Sequence, residues 1–247
     1  MYFWTCAGLA LLTLLCVAMV TSVLPPLLAR LHPPPRRRSA LPLAVPLALV
    51  AWLLLSGALA ADGWLAVWEA RPPRLLLIPL LALAGVVVLH RSALLRGLID
   101  AAPRHWPVAM QIFRIGVELS FLGLYLAGGA PRQVTFEGRN FDVLVGLTAP
   151  FVAFAIRYWQ LAPRSVIVWN ALGLAILTNT IFTTLSSTPG PAHLDWPGLP
   201  FTGFGHWPFV WIPAFLAPLA IFLHVFSIRQ NLALLRRGRA PVGAGTH

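Results

Sequence analysis

Long apolar runs alternate with short polar connections along almost the whole chain. Most of these runs are long enough to cross a hydrocarbon core of about 30 Å at the helical rise of about 1.5 Å per residue. The pattern therefore predicts an all-α integral membrane protein with seven transmembrane helices. The predicted spans are about 2–29, 41–61, 75–90, 107–128, 141–160, 165–187 and 206–228.

The seven spans are predicted to form one domain, residues 1–236, followed by a short flexible tail, 237–247. The first run lacks the basic start of a secretory signal and the small residue that precedes a lipoprotein cysteine, so we expect an uncleaved span. The third run is the shortest and is interrupted by Pro79. The chain shows no clear internal repeat, which argues against the inverted-repeat architecture of many transporters.

Composition supports the membrane class, with 58% hydrophobic residues, 10% charged residues and a mean hydropathy of +0.79. The net charge of +11 comes from arginines between apolar runs rather than on a polar domain, so a nucleic-acid partner is not expected. The absence of lysine excludes a chromophore bound as a Schiff base. Cys6 and Cys16 share one run, which excludes a disulfide framework or a CxxC metal motif.

Arginine distribution predicts the topology. With seven spans, 13 arginines fall on one side and four on the other, while Arg114 lies inside a span. The positive-inside rule then places the N-terminus outside and the C-terminus in the cytoplasm. The predicted location is a bacterial-type cytoplasmic (inner) membrane, with the lipid bilayer as a partner. The sequence leaves cofactor and oligomeric state open.

Arg114 and Glu118 are the ionisable residues that need explaining, because both lie inside the fourth predicted span. They stand at positions i and i+4 and therefore share one helix face. Each charge costs about 2.5–3.5 kcal/mol at such depth, so the pair must face protein or water. We expect a ligand or proton site with Arg114 as counter-charge and Glu118 as proton acceptor. The alternative is an ion pair within the helix that only stabilises packing.

Other polar residues extend this prediction to the later spans. Asn170 and His224, with Arg157 nearby, indicate a basic pocket for an anionic group, or else separate interhelical hydrogen bonds. Asn179 and Thr183 share a stripe typical of a water-accessible path or of helix contacts. Prolines 208, 213 and 218 should disrupt the last span beside a cavity. The predicted ligand or proton site comprises Arg114, Glu118, Asn170, Asn179, Thr183 and His224.

The predicted outer connections hold a second group of candidates. These are Glu137, Arg139, Asp142, His193, Asp195 and His206. Their spacing matches no metal-binding motif, so no metal site is predicted. We interpret the turn EGRNFD, residues 137–142, as an outer loop in which Asn140 caps the fifth helix. In the loop 188–205 and just after it, Trp196, Phe201, Phe204 and Trp207 are expected to anchor the chain at the membrane interface.

Three functions fit these features. The leading hypothesis is binding or transport of a small solute, either anionic or proton-coupled. The alternative is an integral-membrane enzyme acting on a lipid or quinone-like substrate, with catalytic groups in the outer acidic and histidine loops or at His224. A non-catalytic membrane assembly partner is the third. The sequence contains no GxSxG nucleophile motif, so no catalytic residue is assigned and the balance favours a non-enzyme.

Overall fold

A computed structural model describes residues 1–31 and 34–237, and the described chain consists of helices and their connections, without strands. The α-helices are α1 (Tyr2–Leu31), α2 (Pro35–Ala61), α3 (Leu77–Arg91), α4 (Ala93–Ala101), α5 (Trp106–Ala109), α6 (Phe113–Leu126), α7 (Asp142–Tyr158), α8 (Pro163–Ser187) and α9 (Ala217–Arg237). Five short 3₁₀ segments and one π-helical segment, Ile212–Leu216, complete the described helices. Of the predicted flexible tail, residues 238–247 lie outside the described residues.

Among the described residues, six helical stretches are long and apolar enough to cross a membrane. With no strand in this part of the chain, the all-α prediction is confirmed. The six stretches are Tyr2–Leu31, Ser39–Ala61, Arg74–Arg91, Trp106–Leu126, Pro163–Ser187 and Ile212–Arg237. The fifth predicted span corresponds to α7, which has 17 residues and is shorter than the other six. Its crossing, and with it the count of seven, stays a prediction.

Two of the six long stretches form the interior of the bundle. Trp106–Leu126 and Ile212–Arg237 have more than half of their apolar windows buried, whereas α1, α2 and α3 have less than a quarter buried. The apolar side chains that these outer helices expose are compatible with contact to lipid. Arg114 and Glu118 of α6 and His224 of α9 are therefore enclosed by protein.

The last long helix begins at Ile212 rather than at the predicted residue 206, and it ends at Arg237 rather than near residue 228. Residues 206–211 approach it in turns, and its first five residues, Ile212–Leu216, are π-helical around Pro213. The predicted disruption is confirmed at Pro208, which lies in a turn, and at Pro213, whereas Pro218 lies in the regular first turn of α9. The Ala214 carbonyl in this segment accepts a hydrogen bond from the Trp52 indole nitrogen at 3.0 Å. At the other end the helix continues to Arg237 because Gln230 and Asn231 are buried with hydrogen-bond partners.

Helices α6 and α8 run in the same direction. His224 contacts Arg114 near the start of α6 and Asn170 near the start of α8. Further along both helices, Asn140 contacts Glu118 of α6 and Thr180 of α8. Because two parallel helices need a return connection, the chain between them must run back along the bundle.

That return is only partly helical. Residues 131–140 pass beside the end of α8, where the Gln133 amide donates to Ser187 Oγ at 3.3 Å, and α7 completes the path. Backbone donors of this segment find local acceptors, for example Arg139 N–H to the Gln133 carbonyl at 3.1 Å. Glycine at position 138 permits the turn, since a Cβ there would overlap the Arg132 carbonyl. The buried part of this irregular segment, residues 133–135 and Asn140, is thus sheltered by protein, whereas Arg132, Glu137 and Arg139 are exposed.

The aromatic loop 188–205 folds onto this segment. Phe201 is 0% exposed, and Phe201 and Phe204 pack edge-on against Phe121 of α6 with ring centroids 6.1 and 6.0 Å away. The prediction that they anchor at the membrane interface is therefore wrong for Phe201 and Phe204, because the loop turns inward to close the bundle. Trp207 remains exposed, and Trp196 is partly buried beneath Arg139.

Candidate functional site

The centre of the site is a buried ion pair between Arg114 and Asp142. Arg114 is 1% exposed on α6, and Asp142 is the first residue of α7. The guanidinium Nε donates to Asp142 Oδ2 at 2.6 Å, and Nη2 donates to Oδ1. This two-point geometry satisfies both ions without water. The alternative of an ion pair within α6 is contradicted, because Arg114 is paired with Asp142 rather than with Glu118. Asp142 lies at the start of the helix as expected, but it is buried and not an exposed loop residue.

His224 links the ion pair to α8. Its Nε2 lies 2.8 Å from Arg114 Nη1, and its Nδ1 lies 2.8 Å from Asn170 Oδ1. Because arginine can only donate and the Asn170 oxygen can only accept, the imidazole is neutral with its proton on Nδ1. The Asn170 amide in turn donates to Ser227 Oγ at 3.0 Å. Gly173 makes room for the ring, since a Cβ there would overlap it.

Asn140 links the same ion pair to Glu118. Its Nδ2 donates to Glu118 Oε1 at 2.5 Å and to the Val134 carbonyl at 3.1 Å. Its Oδ1 accepts from Thr180 Oγ1 at 2.6 Å and from the Asp142 backbone N–H at 3.2 Å. The N-cap of α7 is Phe141 and not Asn140 as predicted, although Asn140 Oδ1 does accept from the first N–H of the helix. This buried amide makes all four of its hydrogen bonds.

The result is one continuous buried network through α6, α7, α8 and α9. In order it contains Ser227, Asn170, His224, Arg114, Asp142, Asn140 and Glu118. Three of the predicted site residues, Arg114, Asn170 and His224, are joined directly, and Glu118 is joined through Asn140. Sequence reasoning did not place Asn140, Thr180 or Ser227 in the site. One signal in the sequence pointed toward Asp142 as the partner of Arg114: the chain has only seven acidic residues and so offers few counter-ions.

Glu118 also lines a cleft that is otherwise almost wholly apolar. The cleft lies between α3, α6, α8 and the start of the last long helix, with an empty volume of about 990 Å³. Its walls include Leu76, Pro79, Ile181, Leu185, Leu216 and Ile221. Arg114, Asp142 and Thr180 reach the same cleft. The second carboxylate oxygen, Glu118 Oε2, is buried and has no hydrogen-bond partner among the described residues.

The site contains more acidic side chains than cations. One cation, Arg114, faces two carboxyl groups, Asp142 and Glu118, and its Nε, Nη1 and Nη2 groups are all engaged. Arg114 therefore has little capacity left for an anionic ligand. Arg157, which was expected nearby, is exposed in the last turn of α7 and lies over the Tyr158 ring. The predicted basic pocket is thus not assembled around Arg114.

Asn179 and Thr183 do not join the network. The Asn179 amide donates to the Arg139 carbonyl at 2.7 Å and so holds the returning segment against α8. Thr183 is buried, and its carbonyl accepts from Ser187 Oγ at 2.7 Å. Thr180, rather than Asn179 or Thr183, is the α8 residue that joins the network, because it lies on the helix face that contacts Asn140.

The remaining outer-loop candidate residues do not come together in one site. Glu137 and Arg132 form an exposed pair at 4.0 Å, and Arg139 lies 4.9 Å over the Trp196 ring. His193, Asp195 and His206 are exposed in the loop and just after it. Within residues 1–31 and 34–237, no three His, Cys, Asp or Glu side chains are grouped so that they could hold a metal ion. These residues therefore form no common site in the described part of the chain.

In the described part of the chain, fold and site together define a helical protein with six apolar helices of membrane-spanning length and a buried ionic network. Residues 72–232 match the family described as Domain of unknown function (DUF8737), and the chain belongs to this family. The matched region covers more than half of the chain and contains every residue of the network. No curated protein and no solved structure matches the chain.

Proposed function

We propose that the protein crosses the cytoplasmic membrane seven times, with its N-terminus outside. Residues 131–140 and α7 would together make the fifth crossing. The parallel directions of α6 and α8 support this, because the chain must return between them. The division of arginines, 13 against four, supports the orientation.

In this membrane the protein binds an amphipathic molecule that enters its cleft sideways from the bilayer. Glu118 anchors the headgroup through Oε2, and the apolar walls hold the tail. The observation that carries this proposal is the position of Glu118, a buried carboxylate with one unpartnered oxygen at the polar floor of an apolar cleft. Such an oxygen accepts a hydrogen bond from a neutral donor or pairs with a cation.

Lateral entry fits the shape of the cleft. Ile181 and Leu185 of α8 line it and yet are 40% and 36% exposed, so the cleft opens at the surface of the bundle between α8 and α3. The apolar mouth would face acyl chains rather than water.

Other functions fit less well. An anionic solute would meet an acidic site, because Arg114 is already matched by Asp142. A catalytic base at His224 is disfavoured, since both ring nitrogens are engaged in the network. The structure is therefore compatible with the lipid-like ligand of the enzyme hypothesis but disfavours the catalytic role that this hypothesis gives to His224.

Photo-crosslinking in proteoliposomes tests the proposal. Long-chain probes carrying a diazirine in the tail and an amine, an alcohol or a carboxylate as headgroup are compared, and the labelled peptides are mapped by mass spectrometry. We expect the amine and the alcohol to label the walls of the cleft. Glu118→Gln should lower labelling by the amine about tenfold or more, since it removes a charged acceptor.

Glu137→Gln is the matched control, because it makes the same chemical change at an exposed position outside the cleft. Labelling in this variant should equal that of the wild type. Equal labelling by the carboxylate and amine probes would refute the proposed ligand class. Unchanged amine labelling in Glu118→Gln would refute the role of Glu118.

A further inference from the structure

A second cleft lies at the arginine-rich end of the bundle. Helix α4, which the sequence analysis did not predict, buries Leu98 and Ile99 against the ends of α1 and α9. It directs Arg96 and Asp100 outward. The cleft between α4 and the end of α9 has an empty volume of about 900 Å³. It is separate from the cleft that Glu118 lines, and the two share no lining residue.

Four arginines and one acid line this second cleft. The arginines are Arg96, Arg229, Arg236 and Arg237, and the acid is Asp100. Arg237 pairs with Asp100 at 3.0 Å, which leaves three arginines without a carboxylate in the cleft. An excess of three positive charges on two short stretches of helix favours an anionic ligand.

Two of these arginines are oriented without being neutralised. Arg229 Nη1 donates to the His90 carbonyl at 2.5 Å, and Arg96 Nη1 donates to the Arg91 carbonyl at 3.0 Å. A carbonyl acceptor restricts the side chain but leaves its full charge and its other N–H donors available. The guanidinium groups are therefore positioned before any ligand arrives.

We infer that this cleft binds a phosphate-bearing anion, with Arg96 and Arg236 contacting the phosphate oxygens. Guanidinium groups match phosphate geometry through paired N–H donors. Ile99 and Leu232 add apolar contacts beside the arginines, which suits a phosphate attached to an acyl chain. The chemistry is shared by anionic lipid headgroups and by free phosphate, and the experiment separates these two sources.

The purified full-length protein in a neutral detergent is titrated with short-chain phosphatidylglycerol, short-chain phosphatidylcholine and inorganic phosphate. Binding is followed by the rise in apparent melting temperature. We expect phosphatidylglycerol to reach half-saturation at a concentration about tenfold below that of phosphatidylcholine. A response to phosphatidylglycerol alone identifies a lipid headgroup, and an equal response to inorganic phosphate identifies a free anion.

Variants distinguish a defined site from general positive charge. Arg96→Gln with Arg236→Gln should raise the half-saturating phosphatidylglycerol concentration about tenfold or more, and the corresponding lysine substitutions should restore part of the affinity. Arg157→Gln with Arg164→Gln is the control. It removes the same charge at the same end of the bundle, from exposed positions outside the cleft, and should leave binding unchanged. Equal losses in the two glutamine variants, or equal affinities for the two lipids, would overturn the inference.

Discussion

Replacing Asp142 by asparagine tests whether the ion pair with Arg114 holds the bundle together. The substitution keeps the shape of the side chain but removes its charge. Arg114 is then left as a buried cation whose remaining hydrogen bonds go to the neutral His224 and, more weakly, to the new amide oxygen, while Glu118 makes no hydrogen bond to it. An uncompensated charge of this kind is among the most destabilising changes in a protein interior.

The size of the effect follows from the burial of both partners. Removing one partner of a buried pair costs about 3–5 kcal/mol, whereas replacing the whole pair by apolar residues is often neutral. For a chain of this length, that loss corresponds to roughly 6–20 °C in apparent melting temperature. Asp142→Asn and Arg114→Met should each show a decrease in this range. The double variant should lie closer to the wild type than the sum of the two predicts.

The two buried thiols, Cys6 and Cys16, provide the assay, because they react with a thiol-specific fluorophore only when the bundle opens. Unfolding is followed by this fluorescence as the purified protein is heated. Asp195→Asn is the control, since it removes an exposed carboxylate. The reasoning is refuted if Asp142→Asn and the control have the same melting temperature. It is also refuted if the decreases in melting temperature of the two single variants simply add in the double variant.

Two further predictions concern packing and pH. Gly173→Ala should destabilise the fold by about 1–3 kcal/mol, because the added Cβ overlaps the His224 ring. The control is Gly85→Ala, whose Cβ meets open space and which should melt at the same temperature as the wild type. Equal melting temperatures of the two variants would contradict the prediction. Burial and the charge of Arg157 lower the pKa of His105 in the folded protein, so stability should fall as the pH drops below about 6.5. Arg157→Gln should weaken that fall in a pH series of melting temperatures, and an unchanged pH profile would count against it.

Much of the helical layout could be predicted from the sequence. Five predicted spans agree within two residues with the long apolar stretches Tyr2–Leu31, Ser39–Ala61, Arg74–Arg91, Trp106–Leu126 and Pro163–Ser187. The agreement follows because the length of an apolar run decides whether a helix can cross an apolar layer. The π-helical start of the last long helix was signalled by its prolines. Helix α4 was missed because it is only nine residues long and was read as part of a basic connection.

The site was predictable only in part. The sequence by itself predicted that Arg114 and Glu118 lie where charges are costly and must therefore have partners. Only the tertiary structure decided that Asp142 pairs with Arg114 and that Asn140 holds Glu118. The physical reason is that these contacts depend on how residues 131–140 return along the bundle, and that path is set by long-range packing against α8 rather than by the local pattern of apolar and polar residues.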